Sequence, residues 1–282
     1  MKKEEKKIIR NNRNLELNNL EDKHLSIQLS LDGFSFCIYN KVNLMFENFN
    51  EFSFSLPASS PYKHLEFVEE IFSSEPLLQP KYKSVSVTHF NNLATQVPAA
   101  LFDKKLLNTY LKYSVKVLEN DYITYDKIDN SEIINVYIPF VNINNFLLEK
   151  YGAFNFKHSS TILIENLLGS FKNSENKKCF VNVYANNFEI VVLNGNKLEL
   201  FNCFNFKTKE DFIYYILFTA EQLKLNPEEF ELFLMGDIEK DSELYSITYK
   251  YIRNVKFYEP SQFPTELSEL PKHSNFTLLN NN

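Results

Sequence analysis

The chain has 282 residues, of which 44% are hydrophobic and 15% aromatic, and it contains 27 Phe, 16 Tyr and no Trp. This length predicts one large domain or two of ordinary size, with enough apolar material for a substantial core. The formal net charge of −6 argues against a nucleic-acid-binding protein, because such proteins usually present a basic face.

Patterns for targeting and for zinc binding are missing from the sequence. Cys37, Cys179 and Cys203 form no CxxC pair, so we expect buried thiols in a reducing compartment. The longest apolar run, "FIYYILF", stops at Thr219, far short of the ~20 residues of a membrane span. The N-terminus, "MKKEEKKIIRNNRN", lacks the apolar core of a signal peptide. We therefore expect a cytoplasmic protein without a membrane span.

The predicted elements begin after a polar tail. Residues 1–22 and 261–282 are rich in polar residues, with asparagine in the first and proline in the second, and predict disordered tails. Apolar and polar residues alternate over 25–31 and again over 34–39, which predicts two strands. Asp32-Gly33 between them is a strong hairpin signal, because glycine supplies the positive φ that the turn needs. A third strand is expected over 42–54.

The next elements alternate between helices and strands. Ser60 followed by Pro61 predicts the start of a helix. A strand is expected over 84–90, and the run 94–113 is expected to end in a helix from about Pro98, where Thr95-Gln96-Val97 closes a strand. His89, at the end of the strand, is expected to be a partly buried strand-end residue. The remaining elements of this half are strands near 121–126 and 132–140 and helices near 142–150 and 160–171.

A second strand–turn–strand–turn–strand pattern follows Lys178, with tight turns at Asn186-Asn187 and Asn194-Gly195. Thr208 and Asp211 resemble a capping box and predict a helix over 211–223 that is apolar nearly all round, hence central. A strand, a helix over 242–252 and a last strand complete the order. Each half therefore starts with a three-stranded meander and continues with alternating helices and strands, which predicts a structural duplication.

This order is that of the actin-like ATPase fold, and at residue level the chain resembles an uncharacterised bacterial family, a domain of unknown function whose members have that fold. The stretches that carry the resemblance are "LSIQLSLDGFSFCIYN" (25–40), "NNLATQVPAALF" (91–102) and "FLMGDI" (233–238). The resemblance implies an α/β protein with duplicated ribonuclease H-like subdomains in an actin-like ATPase arrangement. We place these subdomains at residues 23–158 and 159–260.

The resemblance also indicates where a nucleotide would bind. Active members of the superfamily carry Asp-x-Gly-Thr or similar at the first hairpin, with the acid near magnesium. Here the turn reads Asp32-Gly33-Phe34-Ser35, so the glycine is one place early and a phenylalanine stands where a small residue is wanted. Gly236-Asp237 is all that this chain offers in place of the paired glycines of the adenosine-side loop. The candidates for a nucleotide site are Asp32, Gly33, Ser35, Gly236 and Asp237.

The second phosphate turn of the superfamily is likewise Asp-x-Gly, but this chain reads Ala185-Asn186-Asn187-Phe188. Glycines at these turns let main-chain amides approach phosphate oxygens, and the whole chain has five. A hydrogen bond to a charged group is worth ~1.5–3 kcal/mol, so losing three or four costs on the order of 5–10 kcal/mol. We therefore expect a hairpin that kept the fold but lost the phosphate cradle, with no catalytic residue and no cofactor.

Three functions remain open from the sequence. The first is a non-catalytic protein that binds another protein through a fold whose nucleotide cleft has degenerated. The second is a divergent ATP-binding protein or ATPase that uses magnesium and the five candidate residues. The third is a metal-dependent nuclease, which would need further carboxylates to converge on Asp32, from the set Asp121, Asp126, Glu132, Glu189 and Asp237. Asp32 in a turn before glycine is also ordinary turn chemistry, which favours the first function.

Overall fold

A computed structural model of the chain describes residues 5–10, 20–54, 57–174 and 176–281. The elements of the first half are β1 (Glu5–Arg10), β2 (Lys23–Leu29), β3 (Gly33–Asn40), β4 (Met45–Ser53), α1 (Pro61–Ser74), β5 (Ser84–His89), β6 (Ala94–Pro98), α2 (Leu107–Leu111), β7 (Thr124–Lys127), β8 (Ile133–Tyr137), α3 (Val141–Tyr151) and β9 (Asn155–His158). Those of the second half are α4 (Ser159–Phe171), β10 (Lys177–Val183), β11 (Asn187–Asn194), β12 (Lys197–Asn205), α5 (Lys209–Gln222), β13 (Glu231–Gly236), α6 (Glu243–Tyr251), β14 (Asn254–Phe257) and α7 (Phe276–Leu279).

The first large sheet has the strand order β1-β4-β3-β2-β5-β9. Strands β2, β3 and β4 form the antiparallel meander that the sequence predicts, and β5 lies parallel to β2. Leu25, Ile27 and Leu29 are fully buried in a core shared with residues of α1 and α3, which explains the alternation in the sequence. Ser60 caps α1 and accepts a hydrogen bond from the Lys63 amide, as the Ser-Pro signal predicts.

The second large sheet repeats this topology, with the order β12-β11-β10-β13-β14. The meander is again antiparallel, and β13 and β14 run parallel to β10 and to each other. Val181 and Ile190 belong to a core with residues of α5 and α6, whereas Phe180 and Val191 pack with residues of α4. The predicted duplication of element order is therefore confirmed. The division at residues 158 and 159 stays a prediction.

A small sheet of order β6-β8-β7 interrupts the first half. The prediction of a helix from about Pro98 is wrong, because residues 94–98 form β6 and the only α-helix in this run is α2. Thr95 and Val97 are β-branched and pair with Val136 and Ile134 of β8, which favours the strand. Short 3₁₀ turns then separate β6 from α2.

Helix α5 differs in one respect from its prediction. The capping box between Thr208 and Asp211 is confirmed, since each side chain accepts from the other residue's main-chain amide. Helix α5 is not central, however, because Tyr214 and Phe218 are 60% and 43% exposed and stack on each other. The side of α5 that carries Phe212 packs against the sheet. The many aromatic residues of the helix therefore led to a prediction of more burial than the structure shows.

The C-terminal segment (residues 261–281), predicted to be disordered, is packed on the rest of the molecule. Its leucines lie in a core with Cys37 and Phe49 on the first sheet; these leucines are Leu267, Leu270, Leu278 and Leu279. The main-chain oxygen of Asn281 accepts a hydrogen bond from Ser26 Oγ (2.9 Å), and its side-chain amide donates to Thr88 Oγ1 (2.9 Å). Because the segment is polar in composition, its leucines could not be identified as core residues from the sequence. Residue 282 lies outside the described residues.

The same segment also contacts the second half. The His273 ring donates from Nε2 to the Ile238 main-chain oxygen (2.8 Å) and stacks on Phe257, with ring centroids 4.4 Å apart. The segment therefore bridges the two halves, from β14 to the first sheet.

The N-terminal region, also predicted to be disordered, is described in part. Residues 5–10 form β1, which pairs with β4 at the edge of the first sheet, and residues 20–22 form a 3₁₀ turn. Residues 1–4 and 11–19 lie outside the described residues. Among the helices that the structure describes, none combines the length and the apolarity needed to cross a membrane.

Candidate functional site

A small cavity of about 180 Å³ lies where the turns of the two meanders face each other. Asp32, Gly33 and Ser35 line it from the first half, and Asn186 and Asp237 line it from the second. Four of the five residues that the sequence nominates for a nucleotide site therefore meet at one cavity. The fifth, Gly236, directly precedes Asp237. Among the described residues the lining includes no lysine or arginine, and it includes a third carboxylate, Glu51.

Asp32 is held by hydrogen bonds within its own turn. Its Oδ1 accepts from Ser30 Oγ (2.7 Å), and its main-chain oxygen accepts from the Phe54 amide (2.8 Å). The Ser30 amide donates across the turn to the Gly33 oxygen (3.0 Å). These contacts are those of an aspartate that stabilises a hairpin.

Gly236 owes its identity to a close main-chain approach. Its φ is +78°, and a Cβ at this position would lie 2.1 Å from the Val183 oxygen. Its amide donates to the His273 oxygen (2.8 Å), and the Asp237 amide donates to the Val183 oxygen (2.8 Å). Both amides of this turn are therefore bonded to the protein, where a phosphate-binding turn would direct them at the ligand.

Two aromatic rings that the sequence analysis did not nominate span the cavity. Phe90, which follows β5, stacks on Tyr184, which follows β10, with ring centroids 3.8 Å apart and ring planes inclined by 27°. Both rings line the cavity. Phe34, the bulky residue expected to obstruct the first turn, packs in the core against Phe52 and Phe72 and also forms part of the cavity wall. The aromatic contact between the halves is thus made by residues after the strands and not in the hairpin.

A buried hydrogen-bond cluster holds Tyr184 in place. The Tyr184 hydroxyl donates to Glu189 Oε2 (3.0 Å), and Asn182 Nδ2 lies 2.7 Å from the Tyr184 oxygen and 3.2 Å from Glu189 Oε2. Burial raises the pKa of Glu189 to about 7, although the hydrogen bonds from Tyr184 and Asn182 act in the opposite direction. Burial also raises the pKa of Tyr184, which the neighbouring Glu189 carboxylate raises further.

A second buried polar cluster lies where α4 begins. Asp126 of β7 accepts from the His158 amide (2.9 Å), Thr161 Oγ1 (2.7 Å) and the Tyr137 hydroxyl (3.1 Å). Burial lowers the pKa of His158 to about 3, so the ring is neutral, and it contacts Ser160 Oγ at 2.7 Å. Asp126 therefore anchors the start of a helix, where a negative charge is stabilised.

His89 is the strand-end residue that the sequence predicts, but its burial is complete where partial burial was expected. Its Nδ1 accepts from the Phe140 amide (3.3 Å). Burial lowers its pKa to about 3, so the ring is neutral near pH 7.

Of the carboxylates that a two-metal nuclease could use with Asp32, Asp237 lines the same cavity, whereas Asp121, Asp126, Glu132 and Glu189 do not. Asp126 lies in the small sheet and Glu189 in the second large sheet, and Asp121 Oδ2 accepts from the Leu118 amide in a loop. Within the described ranges no three side chains of His, Cys, Asp or Glu form a group that could hold a metal ion. The geometry that the nuclease hypothesis requires is not present among them.

The family model described as protein of unknown function DUF3822 matches residues 12–255. Among curated proteins, none matches this chain. The C-terminal segment, which forms part of the contact between the halves, lies beyond the matched residues.

Solved structures with the same fold include two that cover nearly the whole chain. A protein of unknown function with an actin-like ATPase fold from Bacteroides thetaiotaomicron VPI-5482 is 25% identical, with a TM-score of 0.78 over 90% of this chain and 97% of that one. The PilM–PilN complex of type IV pilus biogenesis is matched at 10% identity, with a TM-score of 0.60 over 92% of this chain and 97% of that one. The predicted actin-like ATPase fold is therefore confirmed.

Proposed function

The chain belongs to the DUF3822 family of unknown function, and from its fold and cleft we propose that it is a non-catalytic protein that acts by binding another protein. In this proposal the cleft between the halves has lost the binding of nucleotide. The free cysteines Cys37, Cys179 and Cys203 suit a reducing compartment, which supports a cytoplasmic location. The net charge of −6 supports a partner other than nucleic acid.

The observation that carries the proposal is the stack of Phe90 on Tyr184 across the cleft. The cavity beside it, about 180 Å³, is smaller than the ~300–1,000 Å³ of ordinary ligand pockets. The carboxylates of Asp32, Glu51 and Asp237 also line it, and they would repel a triphosphate.

A structural neighbour supports the protein-binding part of the proposal. PilM shares the fold and was solved in a complex with PilN. A protein of this architecture can therefore form a complex with another protein. That precedent concerns PilM alone, and the partner of this chain is a matter for experiment.

Calorimetric titration of the purified protein with magnesium-ATP tests the loss of nucleotide binding. We expect no binding tighter than ~100 μM, which corresponds to about −5.5 kcal/mol. The same titration is run on the double variant Phe90→Ala/Tyr184→Ala, which lacks the stack across the cleft. Phe204→Ala, which lacks the stack on Tyr215 within the second half, is the matched control. Tighter binding by the natural chain would contradict the proposal.

A divergent magnesium-dependent ATP-binding protein is the second candidate function. Asp32 and Ser35 from one half and Asp237 from the other line a single cavity, which favours it. If the titration reveals tight binding and Asp32→Asn abolishes it, this second function replaces the first.

A further inference from the structure

A second and wider cavity lies outside the cleft. It has a volume of about 690 Å³ and is formed by the starts of α1 and α3 together with the loops that precede β6 and β7. We call it the α1–α3 groove. Its lining includes Leu31, Tyr62, His64, Lys116, Leu118, Asp121, Tyr122 and Phe140.

The rim of the α1–α3 groove is apolar and exposed. Leu31, Tyr62, Leu118 and Tyr122 come from three separate segments, and their side chains are between 43% and 81% exposed. Single exposed apolar side chains are ordinary, but four around one concavity form a patch of the kind that marks a protein-interaction site. The cavity volume is also within the range of ordinary ligand pockets.

One lysine and one helix start offer places in the groove where an acidic group can bind. Lys116 is exposed and makes no ion pair within the ranges that the structure describes. Asp121 also lines the groove, and its carboxylate accepts from the Leu118 amide (2.7 Å). Helices α1 and α3 both begin at the groove, and α3 has no side-chain cap at its N-cap residue Phe140. The first amides and the dipole of a helix attract carbonyl and carboxylate oxygens.

A buried histidine adds an unpartnered polar group to the wall of the groove. His64 is 1% exposed and bonds to the main chain of Ser30, and its Nε2 has no partner among the described residues. Burial lowers the pKa of His64 to about 4, so the ring is neutral near pH 7. With its proton on the nitrogen that bonds Ser30, Nε2 is an acceptor in a ring that packs edge-to-face against Phe140, with the two ring centroids 4.6 Å apart.

We propose that the α1–α3 groove binds an extended peptide segment of a partner protein, one that carries apolar side chains beside an aspartate or glutamate. The apolar rim takes the side chains, Lys116 and the start of α3 attract the carboxylate, and His64 accepts a main-chain N–H once Phe140 turns aside. This assignment rests on the proposed protein-binding function and locates it on the surface.

Selection from a phage-displayed library of random dodecapeptides tests the proposal, with the full chain as bait. We expect enriched sequences with two or more apolar residues next to Asp or Glu. Fluorescence anisotropy of the labelled synthetic peptide should then show binding that is at least tenfold weaker for Leu118→Ser and Tyr122→Ser, and at least fivefold weaker for Lys116→Glu. Tyr249→Ser, which changes an exposed residue of α6, is the matched control and should bind as the natural chain does.

Several outcomes would overturn the assignment. They are no enrichment, enrichment of peptides without an acidic residue, or equal binding by the groove variants. Sedimentation equilibrium tests whether a second copy of the chain occupies the groove. A dimer that Tyr122→Ser dissociates would assign the groove to that second copy. The groove assignment and the proposed function can fail separately. Tight magnesium-ATP binding would contradict the proposed function but would not contradict the groove assignment.

Discussion

The Glu189 carboxyl group lies in an environment that is unfavourable for its charged form. It is 1% exposed, its hydrogen-bond donors, which include Tyr184 and Asn182, are neutral, and burial raises its pKa to about 7 from an ordinary 4.5. A group whose pKa is raised by folding binds its proton more tightly in the folded state. Its contribution therefore makes the protein less stable as the pH rises from about 4.5 to about 7.

Glu189→Gln should remove this dependence. We expect the variant to be more stable than the natural chain at pH 8 by up to roughly 3 kcal/mol, with the difference vanishing towards pH 4.5, because an amide stays neutral. Urea unfolding at pH 5, 6, 7 and 8 measures it. Glu221→Gln, an exposed position on α5, is the control. A stability difference that does not change with pH would refute the prediction.

At the same scale, sequence reasoning could find part of the candidate site. Asp32, Gly33, Ser35 and Asp237 were predictable from the resemblance to the turns of the actin-like ATPase fold, and Asp237 also because ligands bind at the carboxyl ends of sheet strands. Phe90 and Tyr184 were not, since an aromatic residue after a strand resembles any core residue among 27 Phe and 16 Tyr. The hydrogen bonds of the Gly236 and Asp237 amides could not be predicted either, because the acceptor of the Gly236 amide, the His273 oxygen, belongs to the C-terminal segment.

At the scale of elements, the C-terminal segment shows how far composition can mislead. Its polar residues predict disorder, yet four spaced leucines cover Cys37 and Phe49. The regular strands and helices were predictable because their apolar residues recur with a fixed period. This segment has only a 3₁₀ turn and a four-residue helix, so no period marks its buried residues.

Leu278→Ala should open this segment locally. Cys37 is fully buried beneath it, and burial raises its pKa to about 12, so we expect slow alkylation of this thiol in the natural chain. A buried Leu→Ala change costs ~2–5 kcal/mol, more than a tenfold change in an opening equilibrium. Iodoacetamide labelling followed by peptide mass spectrometry should therefore show at least a tenfold faster reaction at Cys37.

The control for this labelling is Leu232→Ala, a fully buried leucine of β13 in a core that contains no residue of the C-terminal segment. We expect it to leave Cys37 labelling nearly unchanged. If both variants accelerate labelling equally, the thiol reacts only when the whole molecule unfolds, and the segment does not open by itself.

At the scale of the whole molecule, the two halves are joined by more than the chain that connects them. The Phe90–Tyr184 stack and the C-terminal segment both cross from one large sheet to the other. The duplicated order of the halves was predictable from two meanders in one sequence. The contacts between them were not, because they join residues far apart in the chain and follow no pattern.

A double-mutant cycle should measure the coupling between the halves. Phe90→Ala and Tyr184→Ala together should cost less than the sum of the single changes by about 0.5–1.5 kcal/mol, the usual worth of an aromatic pair. Urea unfolding gives the four free energies. The matched cycle pairs Phe90→Ala with Tyr215→Ala, whose ring stacks on Phe204 of the second half, and should be additive. Additivity in the first cycle would contradict the coupling.

The cover over Cys37 has a consequence for biosynthesis. The ribosome adds Leu278 and Leu279 long after it has made β3 and β4. This face of the first sheet therefore stays exposed while the intervening chain is translated. At about 5–20 residues per second the wait is on the order of 10–50 s. A nascent chain thus exposes Phe46 and Phe49 to chaperones, and its first half completes its packing only when translation has reached the last helix.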